Sequence, residues 1–367
     1  MKKQVRSVRQ IMIVALVGSI TLLQSCKKEE VEPEVPTPAP SVNVTGTAWT
    51  SIASSFVANE RIMAIGTVNG EMIMSFVDYT DPSAYYLSGQ LTSWGTIDKH
   101  VMNYSGGGGG FEKIEVIGNE VYGLGTWYTN GLWQFDVSFF NNSDWNGWDP
   151  AGAYGTSISA LTKLGGDRIE GYSASPYVRS TSGTNYPDLE ATGNLSINDL
   201  VIYNGELIAA GDFDSYNGTT LNNIAKWDGA AWVPLANGVN GVIYDMEILD
   251  GDLIAAGKFT DADGNTNCSK IAKWNGTSWV AMGTGLDGGL NGVRKLFVYE
   301  SQLFVGGDFD GSGSVLSANI IKWKGGNWIG LPNTITDIIG EIGVYDGHLY
   351  IANAFNIQGA NFLMKLE

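Results

Sequence analysis

Few side chains in this chain are equipped for acid–base or metal chemistry near neutral pH. Its 367 residues include only two histidines, His100 and His348, and two cysteines, Cys26 and Cys268. They show no cysteine–histidine spacing of the zinc type, and nothing around His100 points to a Ser-His-Asp triad. One segment has a spacing that hard cations favour. Asp261-Ala262-Asp263-Gly264-Asn265 places side-chain oxygens at i, i+2 and i+4, and Asp308-Phe309-Asp310-Gly311-Ser312 is a weaker echo. Neither continues to the downstream glutamate of an EF-hand. Asp-Gly and Asn-Gly also simply make tight turns. Turn chemistry is therefore the expectation, and calcium held by Asp261, Asp263 and Asn265 the alternative; no other cofactor is expected. Aromatic side chains are more abundant: Trp127, Tyr128, Trp133, Trp145, Trp148 and Tyr154 fall close together. Aromatic platforms beside carboxylates or amides would suit a sugar.

The elements that must position these residues are repeats. Val201–Phe213 (VIYNGELIAAGDF), Ile248–Phe259 (ILDGDLIAAGKF) and Val298–Phe309 (VYESQLFVGGDF) say nearly the same thing three times. Each leads, after a polar loop, to a tryptophan pair: IAKWDGAAW ending at Trp232, IAKWNGTSW ending at Trp279, IIKWKGGNW ending at Trp328. Phe213, Phe259 and Phe309 are spaced by 46 and 50 residues. Repeats of that length, with paired strands and Asn-Gly or Asp-Gly turns, predict four-stranded propeller blades. In the first of them, strands A to D fall over 198–203, 206–213, 223–227 and 231–235. Weaker copies of strand B are read at 61–66, 120–125, 168–172 and 348–355. The fold expected is all-β, a seven-bladed β-propeller, with six or eight blades the alternative. The C-terminal repeat lacks a tryptophan strand, and Gly46–Ile52 resembles Gly276–Met282. An N-terminal strand is thus expected to complete the last blade and remove the open sheet edges.

The repeat "Tyr-Asn-Gly-x-Leu-x-x-x-Gly-x-Phe … Ile-x-Lys-Trp-x-Gly-x-x-Trp" resembles those of the kelch and galactose-oxidase-like propellers. It is most similar to repeats of secreted bacterial proteins and fungal cortical markers. Copper-radical oxidases of that superfamily need two histidine ligands and a cysteine-linked tyrosine. Here His348 sits in an A–B turn and Cys268 has no adjacent tyrosine, which excludes that chemistry.

On this scaffold Trp127 takes the repeat's phenylalanine slot and Trp145 the strand-D slot. Trp148, Tyr128 and Tyr154 are left as candidate ligand contacts. The B–C and D–A loops share one face and are rich in Gly, Asn, Asp and Thr. Asp214 opens one of these loops, and Arg179 is the basic residue of the third blade that joins the candidates. Such a face can hydrogen-bond a glycan or a protein but is poorly equipped for acid–base work. The leading expectation is a non-enzymatic binding module. The alternative is a polysaccharide hydrolase or lyase, which a cluster of perturbed carboxylates in the central cavity would favour.

Residues 1–25 read as a signal peptide, with Lys2, Lys3, Arg6 and Arg9 before an apolar core. Leu23-Gln24-Ser25-Cys26 resembles a lipobox, which makes Cys26 the lipidation site. Lys27-Lys28-Glu29-Glu30 is similar to the export signal of surface lipoproteins in Bacteroidota. Residues 26–41 then form a proline-rich tether and 42–367 the propeller. An outer-membrane lipoprotein exposed at the cell surface is expected, with a periplasm-facing one the alternative. The leader holds four basic and no acidic residues, so its loss takes the formal charge from −17 to −21. That charge disfavours nucleic acid as a partner. Cys26→Ala should abolish metabolic labelling with an alkyne fatty acid and shift the protein from the membrane to the soluble fraction. Protease shaving of intact cells should degrade the wild-type chain; full protection would place it on the periplasmic side.

Overall fold

A computed structural model describes residues 48–51, 60–68, 71–78, 86–93, 96–101, 109–129, 132–141, 144–150, 158–173, 177–183, 186–193, 195–332, 335–353 and 363–366. The leader, Cys26, the tether and Tyr154 lie outside the described residues. So do the side chains of Tyr128 and Trp148, whose backbones lie in strands Glu120–Thr129 and Asp144–Pro150.

These residues form a β-propeller. Seven antiparallel sheets of three or four strands follow one another along the chain, with two small two-stranded hairpins in addition. The innermost strands are Glu60–Val68, Gly109–Ile117, Ile158–Leu164, Ser196–Tyr203, Val242–Leu249, Gly292–Tyr299 and Ile339–Tyr345. Each packs against the innermost strand of the next sheet, and the first packs against the last. The core lies between sheets. Ile208, Ala210 and Ile224 of the fourth, for example, bury against Ile243, Met246 and Ala255 of the fifth. Strand B is apolar on both faces for this reason: Leu207–Gly211, Leu253–Gly257 and Leu303–Gly307 are buried throughout.

Local chemistry sets the hairpins. Asn204-Gly205, Asp250-Gly251 and Asp346-Gly347 all take positive φ at both turn positions, as a type I′ turn requires. Glu300-Ser301 does the same without Asn or Gly (φ 51° and 53°), a conformation that such residues adopt at a cost.

The expected strand boundaries hold to within two residues in the fourth blade. One assignment is corrected. Arg61–Gly66 lies on the innermost strand rather than on strand B, which is Glu71–Asp78. Both strands carry runs of Ile and Met, so apolar pattern alone does not separate them. The hairpin does: Val68-Asn69-Gly70-Glu71 matches Tyr203-Asn204-Gly205-Glu206, and Met72 is the true counterpart of Leu207. The step to Val121 is then 49 residues, in line with the others.

The N-terminal strand does complete the last sheet. Trp49–Ser51 pairs with Leu363–Leu366, outermost in the order that runs inward through His348–Asn353 to Ile339–Tyr345. Trp49 also does what the repeat tryptophans do. Trp232, Trp279 and Trp328 donate their indole N–H to the carbonyls of Pro187, Leu235 and Met282 at the end of the preceding blade, at 3.0, 3.1 and 2.8 Å. Trp49 donates to Pro332 O at 3.0 Å. Each strand D is thereby fastened to its neighbour. Trp49→Phe leaves that carbonyl without its donor and should cost about 1–2 kcal/mol in urea unfolding. Deleting residues 41–53 should destroy the single cooperative transition; an unchanged melt would refute closure by this strand.

Candidate functional site

The candidate site is the belt of polar side chains around the axial channel. It arises from a single backbone feature. All seven innermost strands carry a register shift at the same place: 62/64, 111/113, 158/160, 197/199, 243/245, 293/295 and 339/341. A β-bulge adds one residue, disrupts the ladder and re-aims side chains. The extra residues are Met63, Glu112, Ser159, Asn198, Tyr244, Arg294 and Gly340. The residue that follows is charged in five of the seven: Lys113, Asp199, Asp245, Lys295 and Glu341. Strand B answers the bulge with glycine. At Gly211, Gly257 and Gly307 a Cβ would collide with the carbonyl oxygen of Ser196, Val242 or Gly292. The repeat's glycine is therefore required by close backbone approach.

An innermost strand has no hydrogen-bonding partner on its axial side, so its free amides and carbonyls must be satisfied from the channel. The belt does this, each blade reaching to another. Asp199 Oδ2 accepts from Met246 N (2.7 Å), Asp245 Oδ2 from Leu296 N (2.7 Å), and Glu341 Oε2 from Ile65 N (3.1 Å). The last of these crosses the junction between the C-terminal and N-terminal sheets. Lys113 Nζ donates to Ser159 O and Asn198 O at 3.2 and 3.0 Å. Asn198 Nδ2 donates to Ile243 O at 2.7 Å, and Ser159 Oγ to Ile197 O.

Ion pairs join the same side chains. Lys113 Nζ lies 2.6 Å from Glu115 and 3.8 Å from Asp199, and Lys295 Nζ 3.6 Å from Asp245. Burial pushes the carboxyls of Asp199 and Asp245 above the usual range, although Lys113 and Lys295 pull them down. Glu247 is pushed up to about 8 by burial and by the negative charges of Asp245 and Asp199. Glu341 is pushed up to about 7, again chiefly by burial. For Lys295 burial acts downward, but Asp245, Glu341 and their neighbours outweigh it and hold the ammonium charged. Each bulge lies near the start of its strand, so the belt sits at the end of the channel next to the D–A and B–C loops. Two adjoining hollows of ≈ 280 and ≈ 270 Å³ open there and share Lys113, Tyr244, Arg294 and Glu341. The Arg294 guanidinium lies 4.1 Å from the centre of the Tyr244 ring.

Of the residues expected from sequence, those that are described do not line these hollows. Arg179 holds the buried carboxylate of Glu170 through Nε and Nη2 at 3.0 and 2.9 Å, within the third blade. Asp214 accepts from Thr192 N at 2.6 Å. Asp261 accepts from Gly264 N and Asn265 from Asn267 N within tight turns, whereas Asp263 accepts from Asn237 N and Trp279 N, 26 and 16 residues away. Among the described residues no three His, Cys, Asp or Glu side chains are grouped to hold a metal ion. Cys268 is buried, which pushes its thiol up to about 11. The belt itself was missed, although a signal existed. Each innermost strand contains apolar-x-x-apolar, as in Ile197-Asn198-Asp199-Leu200, Ile243-Tyr244-Asp245-Met246 and Val293-Arg294-Lys295-Leu296. Two residues set between two buried ones break the strand's period of two.

No protein-family model and no curated protein matches the chain. Solved structures of similar shape include YCF48 bound to a D1 peptide, 13% identical with a TM-score of 0.49, covering 90% of this chain and 97% of that one. An inactive virginiamycin B lyase from Staphylococcus aureus with quinupristin is 11% identical (TM-score 0.46), covering 87% and 99% of the two chains. The Dos1 propeller is 9% identical (TM-score 0.45), covering 88% and 94%.

The belt makes stability depend on pH. The folded-state values of Glu247 and Glu341 lie above the unfolded value of about 4.3, so the folded chain binds more protons between the two. Stability then falls as pH rises through that window. The melting temperature should drop by a few degrees from pH 5 to pH 8.5, and Glu247→Gln should flatten part of the slope. A melting temperature that rises over this range would contradict the burial of these carboxyls.

Proposed function

We propose that this protein is a surface-anchored binding module, held by a lipid on Cys26, that takes a protein or glycan ligand where the axial channel opens. The observation that supports it is the division of labour in the belt. Asp199, Asp245 and Glu341 are committed to amides of neighbouring blades. Tyr244 and Arg294 instead line the open hollow as a stacked pair. A carboxylate that holds a ring together is badly placed to lose and regain a proton in each turnover. A planar cation over an aromatic ring suits recognition.

A second reading is a polysaccharide hydrolase or lyase. It draws on Glu247 and Glu341, whose carboxyls are raised towards neutral pH beside the channel. One assay separates the two. The purified chain, incubated with outer-membrane extracts and surface polysaccharides, should capture a ligand and release no new reducing ends or unsaturated products. Capture should fall at least tenfold in Arg294→Ala with its melting temperature unchanged. Product release abolished by Glu247→Gln would replace binding with catalysis.

A further inference from the structure

We infer that the axial hollow is a subsite for one neutral sugar ring, a pyranose unit at the end of a glycan. This rests on the binding reading above and names the ligand chemistry of the same site. Size is the first ground. Each of the two adjoining hollows, ≈ 280 and ≈ 270 Å³, holds a single ring rather than a folded segment of chain. Lys113, a lining residue of both, is itself paired with Glu115 and Asp199. The hollows lie at the loop end of the channel, so a ligand enters from the loop face and presents an end.

The shape of the lining is the second ground. Six of the seven bulged positions carry a side chain, and in the last blade that position is Gly340. The gap it leaves lies between Arg294 of the sixth blade and Met63 of the first, and all three residues line the same hollow. One side offers the flat Arg294–Tyr244 pair, and the other the aliphatic surface of Ile62 and Met63. A pyranose has two C–H-rich faces and a polar rim, so it fits between two such walls.

Charge is the third ground. Lys113 and Arg294 line the hollow together with Glu341. An anionic ligand would meet the carboxylate, and a cationic one would meet the two cations. Adjacent neutral hydroxyls both donate and accept, so they gain from cation and carboxylate at once.

The test uses the full chain in detergent and saturation-transfer NMR with a panel of methyl pyranosides. Glucuronate, glucosamine and a tripeptide serve as anionic, cationic and peptide comparators. At least one neutral pyranoside should give a signal that falls tenfold or more in Arg294→Ala. The same loss is expected in Gly340→Met, which fills the gap from another blade. Each charged sugar should bind at least tenfold more weakly than its neutral parent. The inference is overturned if a comparator binds better than every neutral pyranoside. It is equally overturned if the signal survives both substitutions, or if no pyranoside binds. Should the chain still capture a protein through Arg294 in that last case, the binding module stands and only the sugar subsite is lost.

Discussion

The structure depends on how a propeller treats its innermost strands. Each is an edge strand facing a narrow channel, and an edge strand leaves half of its amides and carbonyls without a ladder partner. Here the bulge and the side chains around it meet that need. Carboxylates from one blade take up amides of the next, and Lys113 and Asn198 supply donors to carbonyls. The repeat's glycine follows from the bulge, because the displaced strand A leaves no room for a Cβ on strand B. Wedge-shaped sheets must also crowd towards the axis, which selects Ala210, Ala256 and Gly306 beside the next blade.

The outer rim solves the same problem with different chemistry. There the indoles of Trp232, Trp279, Trp328 and Trp49 reach back to carbonyls of the preceding blade. The ring is thus joined by charged side chains at the axis and by neutral N–H donors at the rim. The two sets differ in consequence. Indole bonds are indifferent to pH, whereas a buried belt in which carboxyls are raised and lysines stay charged couples the fold to protonation. Acids used as structural fasteners are badly placed for repeated proton transfer. The channel mouth is lined by bulged residues, Tyr244 and Arg294 among them.

Where the sequence could be read, it was read through its turns and tryptophans. Asn204-Gly205 and Trp232 identify the fourth blade without any structure, and the likeness of Gly46–Ile52 to Gly276–Met282 anticipates the pairing of Trp49 with Leu366. The first blade was misread by one strand because Arg61–Gly66 and Glu71–Phe76 have interchangeable apolar patterns. Arg179, the basic residue of the third blade, holds Glu170, and Asp214, at the opening of a B–C loop, accepts from Thr192 N.

By itself the sequence determined the class of fold, the strand order within a blade and the closure of the ring by its first strand. These are local matters: turn residues, strand period and repeat length depend on neighbours in the chain. Only the tertiary structure decided where the chemistry lies. The belt draws one or two residues from each of seven strands spread from Met63 to Glu341, and none of those residues is distinctive alone. Asp199 becomes a fastener because Met246 N comes to 2.7 Å, and the Glu247 carboxyl is raised because it is buried in the channel, with Asp245 and Asp199 adding to the effect. Distance through space creates both properties.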